Sequence, residues 1–109
     1  MAQKKFDQRL GRTTLESLPT QPGIYRFFNE ADELIYIGKA KNLRRRISQY
    51  RNARRCKAHA KMKKIVAEAV RLEHETCETE FDALTLENDL IQKHRPKWNV
   101  QAHFISYTP

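Results

Sequence analysis

Six residues have side chains suited to polar chemistry and recur at intervals that could bring them together: Tyr25, Tyr36, Lys39, Arg46, Tyr50 and Glu87. The first two belong to near-mirror tripeptides, Gly23-Ile24-Tyr25 and Tyr36-Ile37-Gly38, on either side of a polar middle. A free phenol titrates near 10 and is a poor base at neutral pH. A neighbouring cation favours the phenolate and can lower that value, and Lys39 and Arg46 could supply such a field. Glu87 is the odd residue of its segment. In a helix its nearest neighbours are Ala83, Leu84, Leu90 and Ile91, so a carboxylate falls within an apolar stripe. Left unpaired there, it costs several kcal/mol or takes up a proton. A salt bridge or a stripe edge open to solvent explains it as well as a pocket that binds a cation, whether a divalent metal, Arg or Lys.

These residues need elements to position them. The residues 24–28 and 34–38 read as strands joined by the polar turn "NEADE", a hairpin launched by the loop "LPTQPG". If 28 pairs with 33, Tyr25 lies directly opposite Tyr36 on one face; a one-residue change in the loop would separate them. Asn42 can cap a helix from Leu43, with Leu43, Ile47 and Tyr50 turned inward and Arg46 sharing a side with Tyr50. A second helix is expected around 58–68, with Met62, Ile65 and Val66 inward. The alternation of Val70, Leu72 and His74 with Arg71, Glu73 and Glu75 predicts a third strand. Thr79, with Asp82 three residues on, opens a last helix that ends before Arg95-Pro96. "PKWNV" reads as a turn and a short extended piece. The residues 1–17 read as a polar, partly flexible lead-in, 18–100 as the domain, and 101–109 as a tail. The expected fold is α+β: a small antiparallel sheet covered by helices, in the order β-β-α-α-β-α.

The 109 residues suffice for one domain with a thin core, at 39% hydrophobic and 31% charged residues. No apolar run approaches the roughly 20 residues of a membrane span, and no N-terminal signal is evident, so a cytoplasmic location is expected. Cys56 and Cys77 lack metal-ligand spacing and are expected to be reduced. The net charge is +8, and between Lys39 and Lys64 there are twelve Lys or Arg with no Asp or Glu. Such a run repels itself unless a polyanion neutralises it, and nucleic acid is the natural one. Lys41, Arg44, Arg45, Arg51, Arg54, Arg55, Lys57 and Lys61 are the candidate nucleic-acid contacts.

"GIY" at 23–25, "YIG" at 36–38, "KAKNLRRRISQY" at 39–50 and "ALTLENDLIQKHRPKWNV" at 83–100 together resemble the GIY-YIG nuclease superfamily, and among its branches the nuclease domain of UvrC and its homologue Cho. The resemblance implies a three-stranded antiparallel sheet flanked by helices. It also implies metal-dependent cleavage of DNA phosphodiester bonds, on the 3′ side of a lesion in the UvrC branch, with one divalent cation, Mg²⁺ or Mn²⁺. Position by position it gives Tyr25 and Tyr36 to the attacking water and Lys39 to the neighbourhood of that water. Arg46 goes to the transition-state phosphate, Tyr50 to the site lining and Glu87 to the metal. Gly23, Gly38 and Asn99 support the site. Either tyrosine could be the base, Tyr36 being nearer Lys39. Trp98 departs from the usual aromatic, and "QAHFISYTP" leaves the pattern. The UvrC segments for UvrB and lesion-bearing DNA lie outside this sequence, so a UvrB-like partner is expected only within a larger protein, and the chain itself is expected to be a monomer. The alternative is a noncatalytic nucleic-acid-binding module of the same fold.

Overall fold

The structure, a computed structural model, describes residues 4–100. The tail 101–109 lies outside the described residues. After a first helix, α1 (Lys5–Leu10), come strands β1 (Gly23–Phe28) and β2 (Leu34–Ala40), then helix α2 (Leu43–Arg51). A 3-10 turn, Lys57–His59, leads into α3 (Ala60–Glu68), followed by β3 (Arg71–Thr76) and α4 (Glu80–His94). The sheet is antiparallel throughout, in the order β2-β1-β3. Both expected N-caps are present: Asn42 Oδ1 accepts from the Arg45 N–H at 3.0 Å, and Thr79 Oγ1 from the Asp82 N–H at 3.1 Å.

The hairpin register differs from the expected one by two residues. Tyr25 pairs with Gly38, and Phe27 with Tyr36. The cause is a bulge: Phe27 faces Tyr36 but Phe28 faces Leu34, which leaves Ile35 as the extra residue. Because the shift is even, Tyr25 and Tyr36 still share a face, diagonally rather than directly opposed. That face, with Phe27 and Ala40, joins Leu43, Ile47, Tyr50, Ile65 and Val66 in the main core under α1, α2 and α3. The opposite face carries Ile24, Ile37 and Lys39, and α4 packs on its β1–β2 half, burying Ala83.

The described part of the expected lead-in, residues 4–17, packs on the domain. Phe6 is 1% exposed and belongs to the core, with Leu10 and Leu15 packed against it. Arg9 donates from Nε to the Ala69 carbonyl at 2.9 Å. Arg51 grips the buried Asp7 with both arms of its guanidinium, at 2.9 and 3.0 Å. The hydrogen bonds from Arg51 hold the Asp7 carboxyl below its ordinary value of 3.8. Stability from a lowered carboxyl is present above the unfolded pKa and lost as pH falls through the folded one. Arg51→Ala is therefore expected to lower the melting temperature by several degrees at neutral pH. The gap to wild type should close in acid, which thermal unfolding across pH would measure.

"PKWNV" is not extended. Arg95 caps α4 in the left-handed region, φ 48°, with its N–H donating to the Ile91 carbonyl at 2.8 Å, and Pro96 follows it. The chain then re-enters a helical turn, with Val100 N–H donating to the Pro96 carbonyl at 2.9 Å.

Candidate active site

At the β2 end of the sheet a cleft of about 730 Å³ opens between β1, β2, α2 and α4. Tyr25, Tyr36, Lys39, Arg46 and Glu87 all line it, joined by Lys41, Asn42, Arg45 and Gln49. The strand alternation explains how groups from two faces meet. Tyr36 projects to the α2 side, and Lys39 to the α4 side, where Glu87 stands.

Tyr25 is fully buried and its hydroxyl is committed. It pairs with the Tyr50 hydroxyl at 2.9 Å and accepts from Arg46 Nε at 3.3 Å. Arg46 is held a second time, donating from Nη1 to Gln49 Oε1 at 2.7 Å, and its guanidinium lies 5.7 Å from the Tyr50 ring centre. Tyr36 is only half-buried, with its ring 6.3 Å from that of Tyr25 and the Lys61 ammonium 4.8 Å above it. The cations were expected to lower these phenols, but burial wins. It pushes Tyr36 up to about 12, and raises Tyr25 and Tyr50 despite Arg46.

Glu87 sits half-buried on a stripe that is itself only partly covered: Ala83 is buried, Leu90 and Ile91 are half-buried, and Leu84 is exposed. Its carboxyl is raised by desolvation, against the pull of the Lys39 ammonium and backbone N–H. Among the described residues no ion pair includes it. No group of three metal-ligating side chains exists among the described residues either. One carboxylate facing an open cleft fits a hard cation such as Mg²⁺, which keeps several waters and takes phosphate oxygens for the rest of its shell.

The supporting positions have clear physical tasks. A Cβ on Gly38 would lie 2.3 Å from the Tyr25 ring tip, and one on Gly23 would lie 2.3 Å from the Glu75 carbonyl. Asn99 accepts from the Ile37 N–H at 2.8 Å and donates to the Ile37 carbonyl at 2.9 Å, pairing like a strand with the edge between Tyr36 and Gly38.

The basic run separates into groups with different tasks. Lys41 and Arg45 line the cleft. Arg44 donates instead to the Leu18 and Glu16 carbonyls, at 2.8 and 3.2 Å, and Arg51 is taken by Asp7, so both hold the fold. Lys61 is engaged by Tyr36, while Arg54, Arg55 and Lys57 are exposed on the α2–α3 connection. Sequence reasoning missed Gln49, although its place three residues after Arg46 on a helix was a usable signal.

The family model of the UvrC-like GIY-YIG domain matches residues 21–100. The chain belongs to that family. Curated relatives include the UvrABC system protein C of Bdellovibrio bacteriovorus, 43% identical over 102 residues that cover 93% of this chain and 16% of that protein. The same protein of Acidobacterium capsulatum is 44% identical over 86 residues, covering 79% of this chain and 13% of its own length. The chain thus spans about a sixth or less of the relatives it matches. Among solved structures, the GIY-YIG N-terminal endonuclease domain of UvrC from Thermotoga maritima, bound to its catalytic magnesium, superposes with a TM-score of 0.69. It is 35% identical, with 89% of this chain and 98% of that one covered. The fold is the GIY-YIG fold, and the chain is a UvrC-like GIY-YIG endonuclease domain. No described helix is long and apolar enough to cross a membrane.

Proposed function

We propose that this GIY-YIG domain hydrolyses DNA phosphodiester bonds with one divalent cation at Glu87, making a UvrC-type incision on the 3′ side of damage. The observation that carries the reading is the convergence of Tyr36, Lys39, Arg46 and Glu87 on one open cleft. Bound there, the cation would neutralise charge on the scissile phosphate and cancel the Glu87 charge that helps hold the Tyr36 phenol up. Tyr36, half-exposed on the cleft wall, is the better candidate to orient the attacking water and accept its proton, because the fully buried Tyr25 hydroxyl is already taken by Tyr50 and Arg46. Tyr25 serves by holding Arg46, whose guanidinium offsets charge developing on the phosphate. Lys39 adds positive charge beside Glu87. Lesion targeting, and any UvrB-like partner, belong to the part of the relatives this chain does not span. Action on chromosomal DNA would call for a cytoplasmic location.

The test is nicking of supercoiled plasmid with Mg²⁺ or Mn²⁺, against EDTA, Glu87→Gln and Tyr36→Phe. Metal-dependent nicking lost in both variants supports the reading. Activity surviving Glu87→Gln places the metal elsewhere, and salt-sensitive binding without nicking favours a noncatalytic module. A pH series adds a separate check. A phenol titrating well above neutral has more base form as pH rises, so the wild-type rate should climb through the alkaline range. Any residual rate of Tyr36→Phe should lack that climb.

A further inference from the structure

Past Arg46 and Gln49 the cleft continues into a second concavity of about 520 Å³, between α2 and the start of α3. Its other walls are Ser48, Asn52, Ala58, His59 and Met62. No Asp or Glu lines it, and none occurs anywhere from Lys39 to Lys64. The hydrogen bonds already made determine what the groove offers. Gln49 Oε1 is taken by Arg46, which leaves the Gln49 amide N–H groups. Arg46 uses Nε on Tyr25 and Nη1 on Gln49, which leaves Nη2. His59 Nδ1 accepts from the Arg54 backbone N–H at 2.9 Å, so the ring proton of the neutral imidazole sits on Nε2. The wall itself is braced: Cys56 N–H donates to the Arg54 carbonyl at 2.8 Å, and Asn52 Nδ2 to the Ser48 carbonyl at 2.9 Å.

The groove thus offers donors on Arg46, Gln49 and His59, with acceptor lone pairs on Asn52 Oδ1 and on Ser48 Oγ, whose proton goes to the Arg45 carbonyl at 2.6 Å. Beside them lie an apolar floor of Met62 and Ala58 and, on the adjoining connection, exposed Arg54, Arg55 and Lys57. An anion that also carries an apolar or aromatic body fits this lining; a metal ion does not. Arg46 and Gln49 border both hollows, so a strand lying in the cleft would reach the groove by passing these two side chains. We propose that the groove holds the nucleotide next to the scissile phosphate, with its phosphodiester on His59 Nε2–H and Arg46 and its sugar or base against Met62. This rests on the nuclease reading of the cleft.

The experiment is a scan in which single neutral methylphosphonates replace each phosphate of a short DNA duplex. Binding is read by fluorescence anisotropy in EDTA, and the nicked position is mapped separately with Mg²⁺. Wild type should lose about tenfold in affinity at one phosphate adjoining the nick, the scale of one charge-assisted hydrogen bond. His59→Ala should show a clearly smaller loss than wild type at that position, the remainder being the share carried by Arg46. Asn52→Asp should be repelled by native DNA and much less by DNA neutralised at that phosphate, whereas Lys64→Ala should weaken every duplex uniformly. If both groove variants keep the wild-type scan pattern, the groove does not hold the strand. If the coupling appears without metal-dependent nicking, the groove stands as a strand site and the nuclease reading falls. Nicking without coupling does the reverse.

Discussion

Glu87→Gln is expected to abolish metal-dependent nicking and yet make the metal-free protein more stable at neutral pH. The loss of activity should be on the order of a thousandfold, since the variant removes the one carboxylate of the cleft able to hold the cation that offsets phosphate charge. The stability gain follows from linkage. Desolvation raises the folded-state pKa of Glu87, so its neutral form supports the fold. That support is complete below the unfolded pKa and is lost as pH climbs through the raised folded value. At neutral pH the wild type holds a poorly solvated charge that glutamine does not carry. The difference in melting temperature should therefore favour Glu87→Gln near neutrality and shrink in acid. Mg²⁺ should then raise the melting temperature of wild type but not of the variant, because only the former binds it. A variant less stable than wild type at neutral pH would make Glu87 a structural residue and sink this account.

The same residue shows what a sequence can and cannot convey. That Glu87 conflicts with its neighbours was legible from helical periodicity alone. That Lys39 is the charge opposing its desolvation was not, because the two meet only through the register of β2 against β1 and the packing of α4. Local chemistry was read well: both N-caps, the proline that ends α4, and the inward faces of α2 and α3 follow from spacing of a few residues. Long-range terms were not. The six residues of α1 are too short to display a period, and their order depends on Arg51 and the Ala69 carbonyl, far along the chain. The bulge at Ile35 has no local signature either, although it decides which residue faces Tyr25. For the same reason the phenols were expected to move down. The cations beside them are visible in the sequence, whereas the burial that outweighs those cations arises only in the folded state.

Gly38→Ala is expected to cost about 3 kcal/mol or more, the upper range for overpacking a filled core. The backbone at Gly38 is ordinary strand, so the cost is one of space. The added methyl would meet Cζ and the hydroxyl of Tyr25 at 2.3 Å, and Cε2 at 2.7 Å. Tyr25 has little room to retreat: it is fully buried, edge-on to Phe27 and Tyr50 at 5.8 and 5.6 Å between ring centres. The glycine of the second tripeptide is therefore required by the tyrosine of the first, across the strand pair. Tyr25→Phe should not relieve the clash, since Cζ and Cε2 remain. Tyr25→Leu, whose side chain stops short of that position, should recover much of the lost stability when combined with Gly38→Ala, a coupling readable from denaturant unfolding of the two single variants and the double. The recovered double variant should still nick poorly, because Arg46 would lack the hydroxyl that accepts from its Nε. A Gly38→Ala protein with wild-type stability would show that Tyr25 can leave the position over Gly38, and with it the arrangement that aims Arg46 into the cleft.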